Sequence, residues 1–342
     1  YRLILLIDHE WLKRGVGDLL FDQLVSDLRE AKAVTVSCRQ YASEIELVEF
    51  LKSRAFVEVS RVLDLRLSVA AVDVSSFAEL RKQLEDRGIS ISTFADERVR
   101  DPRCVEKLYE LTTLLNQDDP ARGPIVPPAY NAREALMWLE MPYVLADGYF
   151  IAKHGDDYVG VSDVSLFEAV PGGLTQGFTG VKREYRRQGL ATLLKICGIT
   201  YAHTHGYQII QAFNKPEQTA IRALSEKLGF EVMFEDVLLE KCLRDVVVVN
   251  PQIYDDFSGH YRDDNRPDLE IVVRNEAGRL TVECVGQKVQ LFPTSETKFF
   301  IKQFYGEVTF NRDERGKTDS LDFVMRVPNS DSSDQLHALK RS

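Results

Sequence analysis

The strongest constraint on the fold is an internal repeat. Leu12 to Leu20 (LKRGVGDLL) aligns with Arg186 to Leu194 (RRQGLATLL), placing Gly15 on Gly189, 174 positions later. Phe50 to Phe56 aligns with Leu224 to Phe230 at the same offset, and the strand-like ends Val62 to Leu67 and Asp236 to Lys241 keep it. Two landmarks about 40 residues apart with no gap between them indicate a duplicated supersecondary unit. The first copy begins in its middle. A complete tandem would call for roughly 80 to 100 further residues upstream, and the chain opens on Tyr1 rather than Met, so it reads as part of something longer.

The unit is clearest in the second copy. Leu174 to Val181 reads as a strand and residues 189 to 205 as a helix, with Leu190, Leu193, Leu194, Cys197 and Tyr201 on one apolar stripe. Cys197 in that stripe reads as a small buried hydrophobe rather than a nucleophile. Tyr207 to Phe213 reads as a buried strand. Asn214 is the expected N-cap of a second helix with Pro216 in its first turn, and Gly229 its stop. Phe230 to Leu239 is again strand-like. The alternation of strands and helices predicts a mixed α/β fold.

A chain of 342 residues exceeds one core of usual size, so two or three domains are expected. Asp plus Glu number 53 against 43 Lys plus Arg, a net charge of -10 that disfavours nucleic-acid and anionic-membrane partners. No apolar run reaches the roughly 18 residues of a membrane span, and Tyr1 to Ile7 lacks the basic flank of a signal peptide. Cys38, Cys104, Cys197, Cys242 and Cys284 are odd in number and never form a CxxC pair. That disfavours disulfides and structural zinc and predicts a reducing, cytoplasmic setting with no metal.

The turn before the helix carries the candidate chemistry. A glycine at a helix start frees backbone N–H groups to meet an anion, helped by the helix dipole. Arg186 and Arg187 stand just before Gly189, with Lys182, Arg183 and Lys195 around them, a local basic cluster suited to a pyrophosphate. On the glycine alone, a plain tight turn beside solvated arginines is an equally good reading.

These residues resemble a known family. Thr179-Gly180-Val181, with Glu184 to Ala191 (EYRRQGLA), is similar to motif A of the GCN5-related N-acetyltransferases (GNAT), Arg/Gln-x-x-Gly-x-Gly/Ala, here Arg186, Gly189 and Ala191. Asn214 to Phe230, ending EKLGF, is similar to the family's motif B. The resemblance implies acetyl-CoA as co-substrate and an amine of a small molecule or peptide as acceptor. It implies that main-chain groups of Phe178, Thr179 and Val181 pair with the pantetheine arm. The turn amides of Arg186, Arg187, Gln188, Gly189, Leu190, Ala191 and Thr192 would hold the pyrophosphate, and Asn214 would line the cleft. Many relatives carry a Tyr acid where this chain has Ser225, and some a Glu base on the motif A strand, which here has no carboxylate. The catalytic residues are therefore unassigned. Asp163 and Glu168, on the preceding hairpin, are candidate bases, a water chain is an equal alternative, and a solvated face is the plainer reading of both acids.

Residues 89 to 170 supply the upstream half of a complete lobe. A strand is expected at Ile89 to Phe94, helices at Pro102 to Asn116 and Asn131 to Glu140, and a hairpin of Tyr149 to Lys153 with Tyr158 to Leu166. Asp118 and Asp119, in the loop between the helices, either attract the acceptor amine or form an acidic helix-ending turn. The first copy is degenerate, with Leu12 for the motif A Arg, Gln40 for Asn214 and Ala55 for Gly229, and is expected to pack against the second. Phe77 to Arg87 reads as a linker helix capped by Ser75 or Ser76.

Beyond Val249 the chain turns into short alternating strands punctuated by Gly278, Gly286, Gly306 and Gly316. This predicts a small antiparallel β domain. It resembles the lipocalin-like module that follows beta-lactamase-related hydrolases, through Ser258-Gly259-His260-Tyr261 and Leu291 to Glu296. His260 and His337 are isolated and read as solvated.

The expected organisation is a partial lobe (1–71), a linker helix (72–88), a complete acetyltransferase lobe (89–244), an antiparallel β domain (250–330) and a polar tail (331–342). The expected activity is acetyl transfer to an amine, with the oligomeric state open. The competing reading is a non-catalytic acyl-CoA sensor signalling through the β domain; weaker still, the β domain holds a small hydrophobic ligand.

Overall fold

The structure is a computed structural model, and it describes residues 1–4, 7–11, 14–119, 132–167, 172–284, 287–302, 306–326 and 333–341. The N-terminal copy comprises α1 (Val16–Glu30), β1 (Thr35–Tyr41), α2 (Ile45–Ser53) and β2 (Val57–Ser68). After α3 (Ala78–Glu85) come β3 (Ile89–Thr93), α4 (Phe94–Arg100), α5 (Cys104–Asn116), α6 (Ala132–Leu139), β4 (Val144–His154), β5 (Asp157–Leu166) and β6 (Gly173–Val181). The C-terminal copy then repeats the first as α7 (Leu190–Thr204), β7 (Ile209–Asn214), α8 (Thr219–Lys227) and β8 (Glu231–Cys242). The helix boundaries and those of β2 and β8 keep the 174-residue offset to the residue. Gly15 at φ 79° and Gly189 at φ 86° start equivalent helices, and Ala55 at φ 62° stands where Gly229 adopts φ 92°.

The copies do more than pack. They exchange strands within one eight-stranded sheet of order β1-β8-β2-β7-β6-β5-β4-β3. Strand β8 of the C-terminal copy lies between β1 and β2, and β2 of the N-terminal copy lies between β7 and β8. The exchange has local twofold symmetry: Val62 pairs with Asp236, Arg61 with Val237 and Leu63 with Glu235. An exposed β7 or β8 edge would leave backbone groups unpaired, and the exchange caps both.

Three apolar clusters hold the sheet. One face packs under α7 through Leu65, Leu174, Leu190, Leu194, Ile199 and Ile210. The other packs under α4 and α5 through Phe94, Leu108, Leu111, Tyr149, Ile151 and Val161. Phe21, Val36, Leu51, Phe56, Val237 and Leu239 join the N-terminal copy to the exchanged strand.

A helical turn, α9 (Tyr254–Phe257), leads into a closed antiparallel barrel of β9 (Gly259–Asp263), β10 (Arg266–Glu276), β11 (Arg279–Cys284), β12 (Gln287–Pro293), β13 (Lys298–Ile301), β14 (Gly306–Arg312), β15 (Thr318–Arg326) and β16 (Ser333–Arg341). Sequential strands neighbour each other, and β16 closes on β9. Aromatic rings fill the interior: Phe257 stacks on Phe310 with centroids 4.3 Å apart, and Phe299 and Tyr261 pack beside them.

Several local expectations are corrected. The expected polar tail contributes β16, whose Leu336 and Ala338 point inward while Gln335 and His337 do not. Asn214 ends β7 instead of capping a helix; α8 starts at Thr219, preceded by Gln218. The linker helix spans Ala78–Glu85, and Asp73 caps the turn before it by accepting from the Ser75 N–H. Helix α4 was not foreseen, although Thr93 accepts a capping bond from Asp96 N at 3.2 Å. Glu168, Gly286 and the prolines between Pro120 and Pro128 lie outside the described residues. Among the described residues no helix is long and apolar enough to cross a membrane, and the cysteines are free thiols.

Candidate active site

Strands β6 and β7 form the parallel pair of the sheet, in register from Gly173 and Ile209 to Gln176 and Ala212. There they part. On its other side β6 pairs Gln176 with Val164 and Thr179 with Ser162, so Gly177 and Phe178 together oppose the single residue Asp163. Such a bulge bends a strand and raises its twist. Meanwhile β2 holds Phe213 and Asn214 in register with Asp64 and Leu63. One strand bends and the other is held, and the main chain of Gly177 to Val181 is left facing a cleft of about 790 Å³.

Ten residues expected at a cofactor line this cleft: Phe178, Thr179, Val181, Arg186, Arg187, Gly189, Leu190, Ala191, Thr192 and Asn214. Gln188 does not. Its Nε2 donates to Glu184 O at 2.9 Å and its Oε1 accepts from Arg87, which turns the side chain away. At the floor, Gly189 is the left-handed residue before α7, and the first turn of α7 has no acidic residue. The leading amides of a helix have no intrahelical acceptor, so they meet the cleft as donors in a positive field. Arg187 also takes a left-handed conformation, at φ 62°. Helix α3 closes the turn from outside: a Cβ on Gly189 would come within 2.5 Å of Leu80 Cδ1.

Asp118 and Asp119 line the same cleft, beside the basic turn. Asp118 accepts from Arg183 and, at 2.5 Å, from Arg186, whose Nε also donates to Val181 O at 2.9 Å. The two guanidinium groups hold the Asp118 carboxyl down at about 2. Asp119 accepts from Gln218 Nε2 at 3.1 Å. Gln218, unremarked in the sequence, thereby ties α8 to the end of α5.

Asp163 lies under the bulge, 5 % exposed. Its carboxyl fills the space beside Gly177, where a Cβ would come within 2.1 Å of Oδ2. It accepts a backbone bond from Phe178, and burial pushes it up to about 7. Gln176 fixes the bulge, donating to Asp163 O at 2.7 Å and to Ser162 Oγ at 3.1 Å.

Ser225 is fully buried on α8, donating to Ile221 O at 3.0 Å and accepting from Lys195 Nζ at 3.2 Å. Lys195 is itself 1 % exposed, and burial pushes its amine down to about 8. Its Nζ stands 5.1 Å from the Phe230 ring. The repeat makes this pair conspicuous, because the N-terminal copy has Phe21, Leu51 and Phe56 at these three positions, all buried and apolar. Among the described residues no group of three or more His, Cys, Asp or Glu side chains is placed to hold a metal ion.

Part of the chain is similar to a known family. A model of the acetyltransferase (GNAT) family matches residues 105–230. No curated protein matches the sequence. Among solved structures, a GCN5-related N-acetyltransferase from Sphaerobacter thermophilus is 19% identical, over 71% of this chain and 73% of that one, with a TM-score of 0.49. A tandem GNAT protein from the clavulanic acid biosynthesis pathway is 18% identical, over 72% and 76%, also at 0.49. The glucosamine N-acetyltransferase region of a fungal multi-domain beta-N-acetylglucosaminidase is 11% identical, over 70% of this chain and 29% of that one, at 0.50, a likeness of fold.

Proposed function

We propose that the protein is an N-acetyltransferase that moves an acetyl group from acetyl-CoA to an amine of a small molecule or peptide, in the cytoplasm, with residues 89–244 carrying the reaction. The observation that supports this most directly is the parting of β6 and β7 at Gly177, above the N-terminus of α7. The residues present fit the cofactor. Beyond Gln176 strand β6 has no β7 partner, and main-chain groups among Phe178, Thr179 and Val181 that are not taken by Asp163 or Arg186 would pair with the pantetheine amides. The amides from Arg186 to Thr192 would hold the pyrophosphate. Asn214 Oδ1, buried without a partner, is available to the arm. Acetyl-CoA, when bound, supplies an acyl thioester activated towards amines.

The chain's own part in the chemistry is to bring an amine to that thioester in its neutral form. Asp163 is the general base in this reading. Its carboxyl lies beneath Gly177, behind the residues that line the cleft, and a carboxyl near 7 is matched to accepting, by relay from the cleft, an ammonium proton at neutral pH. Its raised value comes from burial, the usual device for tuning such a group. Ser225 takes no direct part, since its hydroxyl is sealed in the core. The barrel, which runs on through β16, serves as an accessory domain.

Calorimetric titration with acetyl-CoA, followed by free-thiol release with a panel of amines, tests the reading. Absence of acetyl-CoA binding would overturn it. The sensor reading is favoured by the absence of an ionisable acid at the Ser225 position and of a carboxylate on the strand Leu174 to Val181. Binding of acetyl-CoA with no turnover on any amine would establish it instead.

A further inference from the structure

The face of the sheet turned away from α7 carries a second polar group of residues, one strand beyond the cleft. Thr175 on β6 pairs with Gln211 on β7, Gln211 with Arg66 on β2, and Arg66 with Glu231 on β8. Directly paired residues on neighbouring strands point to one face, so these four make a row. In the next row Phe213, Asp64 and Phe234 stand side by side. The alternate residues, Leu63, Leu65, Leu67, Ile210 and Ala212, enter the core on the other face.

Gln211 is only 3 % exposed. Its Nε2 donates to Asp64 Oδ2 at 2.5 Å, which fixes the amide, because the flipped form would set its oxygen against a carboxylate. Gln211 Oε1 is left with no partner, and so are Asp64 Oδ1, Thr175 Oγ1 and Arg66 Nε. Leaving such an atom buried and unsatisfied is costly, and a fold rarely concentrates several in one place. The duplication supplies an internal control. The residues equivalent to Asp64 and Gln211 at the mirror position are Leu238 and Ser37, so the constellation exists on one side of the twofold, the side with the cleft. Thr175 and Phe213 line both the cleft and this row. The exposed rings of Phe213 and Phe234 flank Asp64, 44 % and 41 % exposed.

We infer that Asp64 and Gln211, with Thr175, form an acceptor-binding subsite that takes a cationic nitrogen of the acceptor other than the one acetylated, so that β2 of the N-terminal copy sets specificity for the cleft of the C-terminal copy. The free atoms of Asp64 and Gln211 are acceptors buried beneath the exposed rings of Phe213 and Phe234; the Arg66 guanidinium, 5.8 Å from the Phe234 ring, is the cation beside Asp64 in this structure, and the cation of the acceptor would enter in its place. Asp64 stands three strands from Asp163 with the parted β6 and β7 between them, so the separation exceeds the roughly 14 Å of ordinary strand spacing. The acceptor class is therefore an extended amine with two cationic nitrogens. The inference rests on the acetyltransferase reading for the identity of the acetylated nitrogen, but the cation site stands on its own.

The test measures binding of α,ω-diamines of increasing length and of n-alkylamines of matched length to the full chain by calorimetry, with and without acetyl-CoA. Variants D64N and D64L are compared, the second carrying the side chain that the other copy tolerates at this place. We expect a long diamine to bind at least tenfold more tightly than its monoamine, the difference to vanish in both variants, and acetyl-CoA affinity to stay unchanged. Equal binding of diamine and monoamine by the wild-type protein, or an undiminished preference in D64N and D64L, would overturn the inference. Asp64-dependent diamine binding in a protein that fails to bind acetyl-CoA would sustain the subsite and sink the acetyltransferase reading.

Discussion

Arg61 and Glu235 occupy the same position in the two copies of the repeat, and an ion pair of 2.5 Å joins them, 174 residues apart in the chain. The pair marks the local twofold, where β2 and β8 run antiparallel and each residue meets the neighbourhood of its own counterpart. Both side chains are partly exposed, at 34% and 42%, so the pair itself contributes little to stability. What it records is interpenetration, which has an energetic consequence.

Residues 1–244 should unfold as one unit. Leu65 belongs to the N-terminal copy yet is fully buried in the core under α7. Leu65→Ala should destabilise by about 3 kcal/mol. The chain has two tryptophans, Trp11 in the first copy and Trp138 on α6, so Trp11→Phe and Trp138→Phe leave one reporter each. Denaturant titrations should give coincident midpoints for both reporters, shifted together by Leu65→Ala. Separate midpoints would refute the coupling.

On the proposed reading, Asp163→Asn removes the base while keeping the shape. The rate with a saturating amine should fall by about 10²–10⁴, and the acidic limb of the wild-type profile, centred near 7, should disappear. Stability provides an independent reading. The folded-state value is raised above the unfolded 3.8, so the native protein keeps a proton that the unfolded chain has released. The contribution of Asp163 to wild-type stability should fall as pH rises from about 4 to about 7, by on the order of 4 kcal/mol, read as the difference from the asparagine variant. The asparagine variant should lack this fall, matching wild type near pH 4 and exceeding it above 7.

Lys195→Met should stabilise the protein. The amine is lowered from 10.5 to about 8 by burial, so the folded state binds its proton less readily than the unfolded chain. The cost is fully present below 8 and is relieved as pH rises towards 10.5. Methionine should gain on the order of 3 kcal/mol at pH 7, with the advantage vanishing near 10.5. Thermal melts across this range check the sign. A loss of stability at pH 7 would show that Ser225 and the Phe230 ring compensate the buried charge.

Arg187→Gly separates binding from folding in the basic turn. A non-glycine residue in the left-handed region carries a cost of about 1 kcal/mol, and Arg187 bears it at φ 62°. Glycine should leave the melting temperature equal or slightly higher and weaken acetyl-CoA several-fold, more at low salt. Gly189 is a less clean target, because any side chain there meets Leu80 and a left-handed backbone together.

The repeat, its boundaries and the cleft-lining turn were legible because each rests on local pattern. Gly15 and Gly189, and the apolar stripe of α7, need no knowledge of the partner strand. The exchange of β2 and β8 was not legible, since both patterns satisfy pairing with either copy. Strand β16 was hidden because Asn329 to Ser333 reads as a polar run, and the alternation of Leu336 and Ala338 is brief. Pro216 and Glu217 after Asn214 imitate a helix start, whereas the helix begins at Thr219. Asp163 stood out only as an acid on a hairpin. Its burial depends on a bulge in the next strand, which no local pattern announces. Asp64 was overlooked because its neighbours across the sheet come from the other copy.

The strand exchange makes the molecule a swapped homodimer written as one gene product. In a true dimer every substitution appears twice, and a change that suits one cleft is imposed on the other. Fusion removes that constraint. One half could keep Gly229, Asn214 and the arginines, while the other gave them up for Ala55, Gln40 and an apolar interior. The half without the motif is then free to serve as a wall, built at a fixed ratio of one per cleft and unable to dissociate on dilution.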